Sequence, residues 1–300
     1  MKKLIITLYL ILLGVLTQAQ ISGFFAQGPV ASDPYAAYST ELQAWVAEVI
    51  ATGCTVPDFT DLDAIDVLIS ALISNSYWDH IDCMYLHAVG SGEECTTYVN
   101  LRTPGTYTLT KTGTLTWDAL NGVTTSTTTA NYYNTGYRIN ITGYLGLSHY
   151  GNSFIGLFVG GTAINDRIYY AGGIGALRDF YIGERRIASA RNIYAAVNST
   201  SLGTTTHSNT AVYSPHLVSA QSYNTSNSHI QINGVYQASS TVFPSGDCDV
   251  DLYIGSVNGG SSSAHDNEIY ATILGEAIGG ADLSPLYDAL NTYLTSIGSY

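Results

Sequence analysis

The chain has 300 residues, 46% of them apolar, enough for a real core in one large domain or two small ones. Only 11% are charged, against about a quarter in an average soluble domain, so the polar surface must come from Thr, Ser, Asn, Gly and the 24 tyrosines. A formal charge of −13 argues against a nucleic-acid-binding protein, which needs cations to displace counterions, and against a polybasic patch for anionic lipid.

The first residues, MKKLIITLYLILLGVLTQAQ, begin with Lys2 and Lys3, run apolar from Leu4 to Leu16, and end on Thr17 to Gln20. This is the design of a secretory signal peptide, assigned to residues 1–20. The apolar run is shorter than the ~20 residues a membrane span needs. An exported protein, extracellular or at a cell surface, is expected, with no stable span after cleavage. An uncleaved anchor is the competing reading. Cleavage after Gln20 would leave Lys111 as the lone lysine.

Residues 21–38 show no period and are expected to be an extended segment. A helical segment follows at 39–80. In STELQAWVAEVIATG, Leu42, Trp45, Val46, Val49 and Ile50 recur at helical spacing; Thr40 and Gln43 form a capping-box pair, and Gly53 suits the stop. In FTDLDAIDVLISALI, Leu62, Ile65, Ile69, Leu72 and Ile73 share a side, with a capped start expected at Thr60 and Asp63. Asp61, Asp63 and Asp66 lie in the first turns, where the helix dipole favours acids.

From Ile81 the texture is β. CMYLHAV, GTYTLTKTG, SFIGLFV, DFYIGERRI, HLVSAQSY, HIQINGVYQ, DLYIGSV and EIYATILGEAI are short runs punctuated by turn residues. Asn233-Gly234 is a type I′ hairpin signal, since both positions need positive φ. Many short strands without βαβ alternation predict a mainly β sandwich or barrel over 81–300. The chain closes on a helix at 284–297, with Ser284 as cap, Pro285 in the first turn and Gly298 as the stop. Cys54, Cys83, Cys95 and Cys248 allow three pairings into two bridges, and a buried free thiol is the competing reading for Cys83 and Cys248.

Two regions carry a resemblance. DVLISALISNSYWDHIDCMYLHAV leads into VNLRTPGTYTLTKTGTLTWDALNGV and NYYNTGYRI; later come SHIQINGVYQ, DLYIGSVNGG and EIYATILGEAIGGADLSPLYDALNTYL. The order resembles a group of phage-associated and bacterial surface proteins with a concanavalin A-like, LamG-like jelly-roll domain, many of them tail or virion components. The resemblance implies that jelly roll, with two helices before it and one after it. It also implies a virion- or tail-associated structural or binding module, with other virion or surface proteins as partners. An export signal departs from the virion context and favours an alternative, a secreted bacterial glycan-binding adhesin.

Enzyme signatures are missing: no GxSxG elbow, HExxH or P-loop occurs. Glycosidases of the concanavalin A-like fold resemble one another in a Glu-x-Asp-x-Glu strand. The nearest match here, Asp247-Cys-Asp249-Val-Asp251, has shorter arms, and Glu184, Glu268 and Glu276 stand singly. A glycoside hydrolase is the weaker alternative, and no enzyme is expected. Period 2 puts Asp247, Asp249, Asp251 and Tyr253 on one side of a strand. The wet side of a sheet explains that row better than Ca²⁺, which wants oxygens from several loops, so no cofactor is expected. Arg178, Arg185, Arg186 and Arg191 read as a solvated, salt-bridged face. Sugars need flat rings and planar hydrogen-bonders, which nominates Tyr223, Asn224, Asn258, His265, Asp266 and Asn267 as ligand-binding residues. Ligand identity and oligomeric state stay open.

Overall fold

The computed structural model describes residues 33–124, 131–138, 152–160, 168–174, 179–187, 190–199, 203–207, 215–224, 227–240, 251–257, 262–263, 268–279 and 282–300. The chain divides into Met1–Ala37 and Tyr38–Tyr300. The signal-like residues 1–20 lie outside the described residues. Residues 33–37 form a turn rather than an extended run: the Tyr35 N–H donates to the Asp33 carboxylate (2.9 Å) and the Ala36 N–H to the Asp33 carbonyl (3.1 Å).

Helix α1 spans Thr40–Ala51 and buries Leu42, Trp45, Val46 and Val49. Its cap is Ser39, one residue before the expected Thr40. The Ser39 Oγ accepts from the Leu42 N–H at 3.3 Å, and Asp66 accepts from both the N–H and the hydroxyl of Ser39. Gln43 donates instead to the Tyr38 carbonyl (2.7 Å). Ile50 is exposed, since the buried stripe is narrower than the apolar one. Thr52 closes the helix and Gly53 takes φ +78° after it.

Helix α2 spans Phe59–Ser74, capped by Asp58 rather than Thr60: the Asp58 carboxylate accepts from the Asp61 N–H at 3.0 Å. Leu62, Ile65, Ile69 and Leu72 are buried as expected, while Ile73 is exposed. The closing helix, α3, spans Ser284–Ser296 and packs against α2. Its N-cap is Leu283 rather than Ser284, which is already helical, and Gly298 (φ +75°) follows its end. Among the described residues, no helix is long and apolar enough to cross a membrane.

The strands form two main sheets, and every described ladder is antiparallel. The first, eight-stranded, runs in space β13 (Val235–Ser240), β12 (Asn227–Ile232), β11 (His216–Asn224), β6 (Ser153–Gly160), β17 (Glu268–Gly275), β4 (Gly122–Thr124) and β3 (Thr116–Asp118). In the same sheet β1 (Ile81–Leu86) lies on the C-terminal part of β17. The second, seven-stranded, runs β10 (Gly203–His207), β9 (Ala190–Ser199), β8 (Asp179–Ile187), β7 (Ile168–Ile174), β14 (Tyr253–Ile254), β5 (Tyr132–Asn134) and β2 (Thr110–Thr112). A short ribbon joins β15 (Ser256–Val257) to β16 (Ser262–Ser263). In β7, Gly172 lies opposite Tyr181 and Gly173 opposite Phe180 of β8, and the register shifts between Tyr169 and Ala171, a bulge.

One core lies between the sheets. The eight-stranded sheet supplies Tyr85, Val123, Ile155, Leu157, Val159, Val218, Ile269 and Leu274; the seven-stranded sheet supplies Tyr133, Ile182, Ile193, Ala195 and Ile254. This is a β-sandwich. All of β6 is buried because its alternate residues face opposite layers. Ile155, Leu157 and Val159 enter the core, whereas Phe158 stacks on Tyr287 of α3 (5.8 Å, 6°). Helix α3 therefore covers the far side of the eight-stranded sheet, with α2 packed on it. The β12–β13 hairpin turns on Asn233 (φ +51°) and Gly234 (φ +77°), the predicted type I′ geometry. A Cβ on Gly234 would sit 2.1 Å from the backbone entering α3, so glycine is needed there for space as well. Cys54 bonds Cys95, Cys83 is a buried free thiol, and Cys248 lies outside the described residues.

Candidate functional site

The face of the seven-stranded sheet away from the core gathers aromatic and planar polar groups. In β5, period 2 sends Tyr133 inward, where it is fully buried, and Tyr132 and Asn134 outward, where they are half-buried. Residues directly opposite in a ladder share a face. Asn134 lies opposite Thr110 on one side and Tyr253 on the other; Tyr253 in turn lies opposite Gly172, and Gly172 opposite Tyr181. Thr110 is exposed, Asn134 and Tyr253 are half-buried, and Tyr181 is 3% exposed, so the row runs from open to covered. Tyr132, diagonal to Tyr253, meets it edge-to-face with centroids 5.3 Å apart at 88°.

Asp251 binds this face together. One carboxylate oxygen accepts from Arg138 Nε (2.5 Å) and the other from Asn134 Nδ2 (3.1 Å). The Asn134 Oδ1 accepts from the Gly136 N–H at 2.8 Å, which fixes the amide with its nitrogen toward Asp251. Backbone bonds hold the two segments in register. The Thr135 N–H and hydroxyl donate to the Leu252 carbonyl (3.1 and 2.7 Å), and the Leu252 N–H donates to the Tyr137 carbonyl (2.9 Å). Partial burial, then the Asp251 charge and Tyr132, push the Tyr253 hydroxyl up, against the lowering pull of Arg138. It stays protonated near neutral pH, both donor and acceptor.

Beneath the face, Tyr133 donates to Glu94 Oε1 (2.8 Å), and Lys111 Nζ donates to the same oxygen (2.6 Å) and to the Leu115 carbonyl (3.2 Å). Burial and the Glu94 charge push the Tyr98 hydroxyl up to about 12, so it too stays neutral. The Cys54–Cys95 bridge lies next to Glu94 in sequence. This packing locks the inward side of β5, and thereby the direction of Tyr132 and Asn134 on its outer side.

Of the residues nominated from sequence, Asp251 enters this face. It is not a solvated strand acid: its side chain is 22% exposed and ion-paired. The expected alternation holds around it, with Leu252 and Ile254 buried and Asp251 and Tyr253 half-buried. Tyr223 and Asn224 end β11 in the other sheet, so they do not join it. Asn258, His265, Asp266, Asn267, Asp247 and Asp249 lie outside the described residues. Among the described residues, no three His, Cys, Asp or Glu side chains converge as a metal site. Glu276 is buried 3.9 Å from His80 Nδ1, and Glu268 accepts from the Tyr270 hydroxyl (2.7 Å). In the arginine group, Arg186 lies opposite Arg191 in the β8–β9 ladder, and Arg185 opposite Asn192. Tyr132, Asn134, Arg138 and Tyr253 were not singled out as ligand-binding residues from sequence. Their signal was the spacing of two in Tyr132/Asn134 and Asp251/Tyr253, but nothing local pairs strands more than a hundred residues apart.

No protein-family model matches the chain, and no curated protein does. Solved structures do. The receptor-binding domain of the botulinum neurotoxin C/D mosaic serotype matches with TM-score 0.52 and 11% identity, covering 70% of this chain and 51% of that one. The receptor-binding domain of botulinum neurotoxin D matches with TM-score 0.50 and 9% identity, covering 71% and 53%. This chain shares their β-sandwich fold. A third match has TM-score 0.50 and 13% identity and covers 72% and 53%; it is a botulinum neurotoxin type C structure, from work showing that cell entry depends on interaction with two ganglioside molecules. The chain spans about half the length of these structures, and at such identities the likeness is one of fold.

Proposed function

We propose that this chain is a non-enzymatic glycan-binding module built on a concanavalin A-like, LamG-like jelly roll, exported and acting at a cell surface. The observation that carries it is the outward Tyr132–Tyr253 pair beside Asn134, Arg138 and Asp251, the rings and planar hydrogen-bonders that a sugar needs. Its fold is shared with receptor-binding domains of botulinum neurotoxins. The signal-like N-terminus supports export.

A glycan array with the wild type, Tyr132→Ala and Tyr253→Ala tests the reading. Binding that falls in both variants while their melting temperatures hold supports it. Binding unchanged in both moves the site elsewhere, to the Tyr223–Asn224 end of β11 or to Asn258, His265, Asp266 and Asn267. A blank array rules the reading out.

The resemblance to phage-associated proteins favours a second reading, a virion- or tail-associated module. Mass spectrometry of purified particles, medium and cell envelope separates the two. An N-terminus at Ile21 in medium or envelope fits the surface protein, and enrichment in particles fits the virion.

A further inference from the structure

Resting on the glycan-binding reading, we propose that the Tyr132–Tyr253 face selects uncharged sugars, bound by neighbouring ring hydroxyls, and discriminates against sialylated or sulfated ones. The argument is electrostatic and geometric. Among the described residues, the cation placed at this face is Arg138, whose Nε lies on Asp251, so the pair sums to zero charge. Elsewhere among the described residues, Lys111 faces inward onto Glu94, and Arg102 is held by the Trp78 carbonyl (2.9 Å) and ring. Arg185 stands four residues along β8 from Tyr181, about 13 Å at the strand rise, and Arg186, opposite Arg191, lies one residue further.

An anionic sugar would therefore meet a carboxylate whose charge is already balanced, on a molecule of net charge −13. A neutral sugar meets a better partner. A carboxylate has about four acceptor positions. Arg138 and Asn134 engage one oxygen each, and each oxygen keeps a second position for a hydroxyl. Two neighbouring hydroxyls can then donate to Asp251 while the Tyr253 hydroxyl donates or accepts beside them. The apolar C–H face of the sugar lies against the tyrosine rings.

The test uses the full chain and one oligosaccharide core in three forms: neutral, α-sialylated and 3-O-sulfated. Affinities are measured for the wild type, Asp251→Asn and Tyr253→Ala, with thermal melts to confirm folding. The neutral form should bind about tenfold or more tighter than either anionic form. Asp251→Asn keeps the shape but removes the acceptor charge; it should weaken neutral binding about tenfold and shrink the discrimination. Tyr253→Ala should weaken all three forms alike. Equal or tighter binding of the sialylated or sulfated form overturns the proposal while leaving glycan binding intact. Discrimination unchanged in Asp251→Asn overturns the role of the carboxylate. Binding of none of the three, with neutral glycans also silent on the array, sinks the parent reading and this one together.

Discussion

The Tyr293 hydroxyl donates a 2.6 Å hydrogen bond to the Ala88 carbonyl, joining the closing helix to the chain just after β1 across 205 residues. Both residues are buried, and burial pushes the phenol up so that it remains a donor. Removing the hydroxyl strands a carbonyl without water. Tyr293→Phe should lower stability by about 1–3 kcal/mol, read as a shift in urea midpoint at constant slope. An unchanged midpoint would show that the carbonyl finds another donor.

Asp61 does work that its place in a helix start does not announce. It is buried, and it accepts from the Ser91 N–H (2.7 Å) and hydroxyl (2.6 Å), while the Asp58 N–H donates to the same Ser91 oxygen (2.7 Å). Gly90 holds φ +67°, and a Cβ there would come within 2.3 Å of the Asp61 carboxylate. Asp61→Ala should cost about 2 kcal/mol by leaving the Ser91 N–H unpaired. Gly90→Ala should destabilise as well, through strain and clash. Thermal melts of both variants check this; wild-type stability in either contradicts it.

The Cys54–Cys95 bridge closes a loop with sequence separation 41. Loop-closure entropy gives it about 4 kcal/mol. Reductant should lower the melting temperature of the wild type and leave a Cys54→Ser/Cys95→Ser variant unmoved. A variant as stable as the oxidised protein would contradict the estimate.

His87 is wholly buried and stacks almost parallel to Tyr133 (6.0 Å, 6°). Its Nε2 meets the Thr272 hydroxyl at 3.1 Å, and Nδ1 has no partner among the described residues. Burial lowers it from 6.5 to about 3. The unfolded chain thus takes up a proton near pH 6.5 that the folded chain refuses until about pH 3. The stability from keeping His87 neutral is complete above pH 6.5 and is lost as pH falls through that window, at about 1.4 kcal/mol per unit. Between pH 6.5 and 5 the wild type should lose about 2 kcal/mol more than His87→Gln. Parallel stability curves for the two would refute this.

Helices and turns were legible because their signals are local. The apolar stripes of α1 and α2, Gly53, Gly298 and the Asn233-Gly234 turn each depend on a few adjacent residues. The helix caps slipped because Ser39 and Thr40 are equivalent in isolation. What selects Ser39 is Asp66, one helix away, which accepts from its N–H and hydroxyl. In the same way Ser91 fixes the start of α2 at Asp58.

Composition and periodicity alone determined a mainly β chain with helices near both ends, poor in cations and punctuated by tight turns, because backbone sterics and burial act on neighbours in sequence. The tertiary structure decided which cysteines meet and which sheet the closing helix covers. It also decided that Asp251 is a paired hub rather than a wet edge. Tyr132 and Tyr253 lie more than a hundred residues apart, and their meeting depends on β5 and β14 being adjacent in the sheet. Side-chain alternation within a strand can be read from its own residues, but adjacency between strands is set by how the whole core packs, and no local pattern encodes it.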